Sequence, residues 1–244
     1  MCNLYAMMKT RAEAARVARA MTDRNNNQPP LPGVYPDYSA PVVVRAEDGT
    51  REMRDMRWGM PSSKKALLDA TAKRADKLRA KGKPVDFAEL LRMEPDKGTT
   101  NIRNTASSHW KPYLGPANRC LVPLTSFSEP DQAGGTSELI WFAQNEGRPL
   151  GFFAGIWTPW GCVRKIKNGW EDCEVYGFLT TEPNALVATY HPKAMPVILT
   201  EEAECDLWMS DAPWDEVKHL QRPLPDDALV IVARGVKQDE AIPA

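Results

Sequence analysis

Residues 138–157, ELIWFAQNEGRPLGFFAGIW, hold two short runs rich in aromatic and β-branched residues, 138–143 and 152–157. Each is too short for a typical helix and fits a buried strand. Working outward, 121–122, 173–179, 197–199 and 229–232 read the same way. Further back, 42–44 and 51–58 read as strands joined by a turn at Asp48-Gly49. Helical patterns lie between and around them. Over 10–22, Thr10 and Glu13 form a capping box, and Ala14, Val17 and Met21 share one face. The stretch 25–32 is polar and proline-rich, a loop. Residues 62–83 are Lys/Ala-rich, with a weak apolar stripe at Leu67, Leu68, Ala75 and Leu78, and end at Gly82 and Pro84. A second helix over 86–93 starts at Asp86, with Glu89 three residues on. Two short helices fit 201–208 and 214–220. Many short strands with scattered helices predict an α+β fold: a curled or barrel-like antiparallel core with peripheral helices. One domain is expected over 1–244, with 62–98 as a helical lid or insertion. No internal repeat is evident.

Composition narrows the function classes. The chain has 244 residues, 43% hydrophobic and 26% charged, ordinary for a globular protein. No apolar run approaches the ~18 residues of a membrane span, and no signal-peptide pattern opens the chain, so a cytoplasmic location is expected. The five cysteines, Cys2, Cys120, Cys162, Cys173 and Cys205, are odd in number and form no CxxC. That argues against a disulfide framework or structural zinc. The net charge of −1 hides a split. Residues 1–119 carry 22 Lys+Arg against 13 Asp+Glu, and the remainder carries 9 against 19. A polyanion partner on one face would explain this, and so would a solvated helix face over 64–83.

Cys2 stands apart by position. Once Met1 is removed, one residue carries both an α-amine with a pKa of about 7.7–8 and a thiol near ~8.5. A 1,2-aminothiol condenses with an aldehyde to a Schiff base, and its sulfur closes a five-membered thiazolidine. Alternatively Cys2 is an N-terminal nucleophile in amide hydrolysis, or a cysteine at position two by chance.

Further segments recur in a known order. They are Cys2; Arg57-Trp58-Gly59-Met60; Asn101-Ile102-Arg103; Arg119-Cys120-Leu121-Val122-Pro123 with Phe127-Ser128-Glu129; Thr180-Thr181; and His191 with Met195-Pro196-Val197-Ile198-Leu199. Together they resemble the SOS-response-associated peptidase (SRAP) family, whose members shield abasic sites in single-stranded DNA. The resemblance implies that Cys2 is the covalent residue and that Asn101 holds the terminal cysteine or the opened sugar. It further implies that Glu129 shuttles protons and that His191 serves proton transfer to the sugar ring oxygen. Arg103 would grip a phosphate and Trp58 would stack on a base. Arg57, Trp110 and Lys193 complete the expected DNA-binding set. The sequence departs from the family pattern where Cys-Gly-Arg becomes Cys2-Asn3-Leu4, and where the aromatic after the glutamate becomes Pro130. The usual Asn-Ala-Arg-x-Glu also becomes Asn101-Ile102-Arg103-Asn104-Thr105. The Lys-rich 62–98 segment would then replace lost phosphate contacts.

The expected activity is abasic-site processing: self-removal of Met1, then crosslinking through Cys2, with lyase or hydrolase activity as a further expectation. No metal or organic cofactor is needed, the partner is single-stranded DNA bearing abasic sites, and a monomer, nucleoid-associated when bound to DNA, is expected. The rivals are an N-terminal-nucleophile cysteine amidohydrolase and a non-covalent single-stranded-DNA-binding module.

Overall fold

The alternating pattern of 39–58 folds as two paired strands around the turn at Gly49, whose φ of 83° suits glycine. They seed the core in a computed structural model that describes residues 2–23 and 28–240. In chain order the elements begin with β1 Leu4–Met7, α1 Arg11–Val17, β2 Ala20–Asp23, β3 Leu31–Val34, β4 Ser39–Arg45 and β5 Arg51–Trp58. Next come α2 Lys64–Arg79, α3 Phe87–Arg92, β6 Asn101–Ile102, β7 Arg119–Leu124, β8 Ser126–Pro130 and β9 Leu139–Ala143. The long strands β10 Gly151–Val163 and β11 Trp170–Thr181 follow, then α4 Ala185–Ala188, β12 Met195–Pro196 and β13 Ile198–Leu199. The chain finishes with α5 Glu202–Trp208, α6 Trp214–Val217 and β14 Val230–Arg234.

Strands β5, β4, β7, β10 and β11 pair in that order, and β11 returns to β5. The result is a closed five-stranded barrel, which leaves its members no free edge. Closure is parallel, with Val175 opposite Arg57 and Tyr176 opposite Trp58. β6 on β11 and β2 on β5 are parallel too. The core is therefore a mixed barrel, which corrects the expected antiparallel one. Direction of this kind is set by long crossovers, and no local pattern encodes it.

Aromatic rings fill the barrel. Trp58 stacks on Phe178 at 5.2 Å, Phe153 on Phe178 at 4.1 Å, and Tyr5 meets Trp58 edge-on at 5.3 Å. Tyr5 and Tyr176, both buried, share a hydroxyl hydrogen bond of 2.6 Å. A second sheet runs β14-β9-β8-β1-β3. Its inner face sends Tyr5, Phe127 and Phe142 into the same core, while Leu4, Ala6 and Trp141 cluster on its outer face.

Two local expectations change. The helix expected over 10–22 stops at Val17, because Arg19 adopts a left-handed φ of 55°. The chain then continues as β2 beside β5. Part of the loop expected over 25–32 lies outside the described residues, and Leu31 and Pro32 already belong to β3. The hairpin α2–α3 follows its local signals closely. Ser63 and Asp86 cap the two helices through their side-chain oxygens, and Gly82 turns the chain with φ 66°.

Candidate functional site

Four segments far apart in sequence converge at one end of the barrel. Cys2 lies two residues before the first residue of β1, which pairs with β8 so that Leu4 lies opposite Ser128 and Tyr5 opposite Phe127. Glu129, one residue on, therefore shares the inner face with Phe127. Asn101 sits in β6, held against β11 opposite Phe178. His191 ends the turn after α4, its backbone N–H donating to the Val187 carbonyl at 2.8 Å. The chain then re-enters the sheet at β12.

The contacts among them are specific. Asn101 Nδ2 donates to the Cys2 carbonyl at 2.7 Å and to Thr100 Oγ1 at 2.7 Å. Asn101 Oδ1 is buried with no hydrogen-bond partner among the described residues. Such an orphan acceptor is uncommon and marks a place for a missing donor. His191 Nε2 lies 3.8 Å from Glu129 Oε2. The other ring nitrogen, Nδ1, is 2.9 Å from the Ala194 carbonyl, which can only accept. This assigns the proton to Nδ1 and leaves Nε2 as the acceptor facing Glu129. Cys2, Glu129 and His191 are all fully buried.

Burial sets the electrostatics. It pushes the Glu129 carboxyl up to about 8 and holds the His191 imidazole below its ordinary value, the Ala194 hydrogen bond opposing. It also drives the Cys2 thiol well above the usual range. The Glu129 carboxylate adds to that rise, and backbone groups of Leu4 and Ser128 oppose it. At neutral pH the site thus holds a thiol, a carboxylic acid and a neutral imidazole.

The expected DNA-binding residues fare unevenly. Arg103 is half-exposed, donates to the carbonyls of Thr181 and Lys193, and lies 3.8 Å from Glu182. Lys193 is exposed beside it. Arg57 is engaged with Glu171 at 2.9 Å and Asp37 at 3.7 Å. Trp58 is corrected: its ring is fully enclosed, and Nε1 donates to the Thr100 carbonyl at 3.2 Å. It supports the site from below and offers no face to a base. Trp110 is also mostly buried, packed at 4.3 Å from His109 within a second core cluster, so its ring does not line an open groove. Thr100, which touches both Asn101 and the Asn3 side chain, had no signal beyond its place before the asparagine. The expected loss of Met1 falls outside the described residues.

Comparison with known proteins places these features in context. The family profile described as SOS response associated peptidase (SRAP) matches residues 1–238. A sequence comparison with curated proteins finds no match. Among solved structures, a protein from Bordetella bronchiseptica is similar with a TM-score of 0.64 at 23% identity, over 94% of this chain and 98% of its own. A protein from Bacteroides thetaiotaomicron has a TM-score of 0.64 at 20% identity, over 94% and 90%. A phage-related protein from Bordetella bronchiseptica has a TM-score of 0.62 at 16% identity, over 94% and 92%. At these identities the structures speak for the fold.

Proposed function

This chain belongs to the SOS response associated peptidase (SRAP) family, and on that premise we propose that it binds single-stranded DNA and crosslinks to abasic sites through Cys2. The observation that carries the reading is the buried cluster in which Asn101 holds the Cys2 carbonyl at 2.7 Å while His191 and Glu129 face each other at 3.8 Å. Four residue types suited to carbonyl chemistry, a thiol, an amide, a carboxyl and an imidazole, are gathered there.

The chemistry follows from the protonation states. Removal of Met1 frees the Cys2 amine. That amine attacks the C1′ aldehyde of the ring-opened abasic sugar, giving a carbinolamine. Loss of hydroxide, protonated by the neutral Glu129 carboxyl to leave as water, gives the Schiff base. The Cys2 thiol then adds to the same carbon. Its proton passes to the Glu129 carboxylate just formed, and the C=N π electrons of the protonated Schiff base return to its nitrogen, which keeps the N–H it already carries, closing the thiazolidine. Glu129 ends as it began. His191 Nε2 can take a proton from Glu129 and deliver it to the sugar ring oxygen during opening, while the C1′ hydroxyl returns its proton to the Glu129 carboxylate. Asn101 fixes the Cys2 backbone, and its unpaired Oδ1 suits the free amine. Arg103 and Lys193 supply exposed cations for phosphates.

The test is a base-stable adduct between the Met1-processed protein and an abasic-site strand. An N-terminal-nucleophile amidohydrolase would share Cys2, but it would turn over a small amide and form no such adduct.

A further inference from the structure

The face of β1–β8 turned away from Glu129 carries a cavity of about 330 Å³. Its walls include Asn3, Leu4, Tyr35, Ser128, Pro130 and Leu139. Its place is notable, because Asn3 and Leu4 follow Cys2 directly and Ser128 and Pro130 flank Glu129. The two strands that hold the reactive residues on one face therefore build this cavity on the other. Asn3, Leu4 and Pro130 are also positions at which the sequence leaves the pattern it otherwise follows.

The lining defines the ligand's chemistry. No charged side chain faces the cavity among the described residues, so it does not suit a phosphate. Leu4, Leu139 and Pro130 are apolar. Tyr35 brings an aromatic ring anchored by its hydroxyl, which donates to the Lys237 carbonyl at 2.6 Å. Two polar groups are left to recognise something. Ser128 is 2% exposed, and its Oγ has no partner among the described residues. A buried hydroxyl without a partner costs stability, so a ligand group able to hydrogen-bond to it is favoured there. The Asn3 Oδ1 accepts from Thr100 Oγ1 at 3.1 Å, which orients its Nδ2 hydrogens for a further acceptor. An apolar cavity with an aromatic wall, a hydroxyl and an amide donor fits an uncharged planar heterocycle.

We propose that this cavity receives the nucleobase next to the abasic site, packed against Tyr35 and hydrogen-bonded by Ser128 Oγ and Asn3 Nδ2. The inference rests on the reading of Cys2 as the crosslinking residue, since it takes the occupant from the same strand. The protein would then grip the neighbour of the lesion by its base.

Two readouts separate this proposal from the covalent one. In the first, a strand carries an unreactive tetrahydrofuran abasic analogue with 2-aminopurine on its 5′ or its 3′ side. Binding quenches the fluorescence on one side, and Tyr35→Leu or Ser128→Ala restores it. In the second, adduct formation is timed on abasic strands whose neighbours are bases or tetrahydrofuran spacers. The base-flanked strand reacts about 5- to 100-fold faster at sub-saturating protein, the range for one stacked base. That ratio falls toward one in both variants. Ser128→Ala removes only a hydroxyl and stays informative should Tyr35→Leu fail to fold. Equal rates on both strands with no quenching on either side would overturn the proposal while leaving the crosslink standing. Absence of any adduct would overturn the crosslink, and the quenching experiment would still decide the cavity.

Discussion

The Cys2 site and the α2–α3 hairpin hang from the same connection, between Trp58 at the end of β5 and Asn101 in β6, yet they use charge in opposite ways. The hairpin's feet are fixed. Met60 and Thr99 exchange backbone hydrogen bonds of 3.0 and 2.7 Å, and the Asp96 carboxylate accepts from Ser62 N, Gly98 N and Trp160 Nε1. Gly98, at φ 74°, passes so close to Gly59 that a Cβ there would lie 2.7 Å from its carbonyl oxygen. Above that base, Lys64, Lys65, Lys73 and Lys77 stand in solvent, where each charge is screened and worth little by itself. In the site, by contrast, Cys2, Glu129 and His191 are desolvated and their pKa values shifted. Burial shifts the acidity of a few groups, whereas exposure leaves a diffuse positive field.

The sharpest way to break this contrast is at Glu129. Glu129→Gln keeps the shape and removes the proton donor, so adduct formation should slow by about 10²–10⁴-fold. Wild-type rates should fall as pH rises through about 8, and the variant's should not. An unchanged rate would remove Glu129 from the chemistry. The same residue makes a stability prediction. The folded protein keeps a proton that the unfolded chain releases above its ordinary carboxyl pKa of 4.5. Wild-type stability should therefore decline from pH 4.5 to 8 relative to Glu129→Gln, by up to about 5 kcal/mol, and level off above that window. Denaturant melts at pH 5 and 9 would show it. Next in size, Trp58→Phe should cost about 1–3 kcal/mol of stability and leave the DNA affinity of the folded protein unchanged. Lost affinity without lost stability would return the ring to the DNA. Smallest of all, Lys73→Glu with Lys77→Glu should weaken DNA binding only several-fold and reduce its salt slope by about 1 per lysine contact. A slope that does not move would leave the hairpin without a part in binding.

The same two regions show what the sequence makes legible. The hairpin was readable because its signals are local: a capping residue, an apolar stripe, and Gly82 followed by Pro84. Its helices fall within a few residues of the expected ends. The strands that build the site were not readable. β1, β6 and β8 are two to five residues long, and the pairings that bring the site together, β1 with β8 and β6 with β11, join residues more than 70 apart. β10 and β11 were seen only in part, since Pro159, Gly161 and the charged 171–172 interrupt their apolar runs. The candidate site residues Cys2, Asn101, Glu129 and His191 can be named from ordered motifs, while their meeting depends on β1–β8 pairing in one sheet and β6–β11 pairing in the other. Trp58 marks the limit of motif reading. Its position was recognisable, but whether an indole faces solvent or core depends on the parallel β5–β11 seam.

The most direct test of the central claim is a denaturing gel. The purified protein, with Met1 shown absent by mass spectrometry, is incubated with single-stranded DNA carrying one abasic site, alongside Cys2→Ala. The account predicts a band of protein plus DNA that survives denaturation in the wild type and is missing in the variant. No such band from the processed wild-type protein, or one that persists in Cys2→Ala, would contradict it.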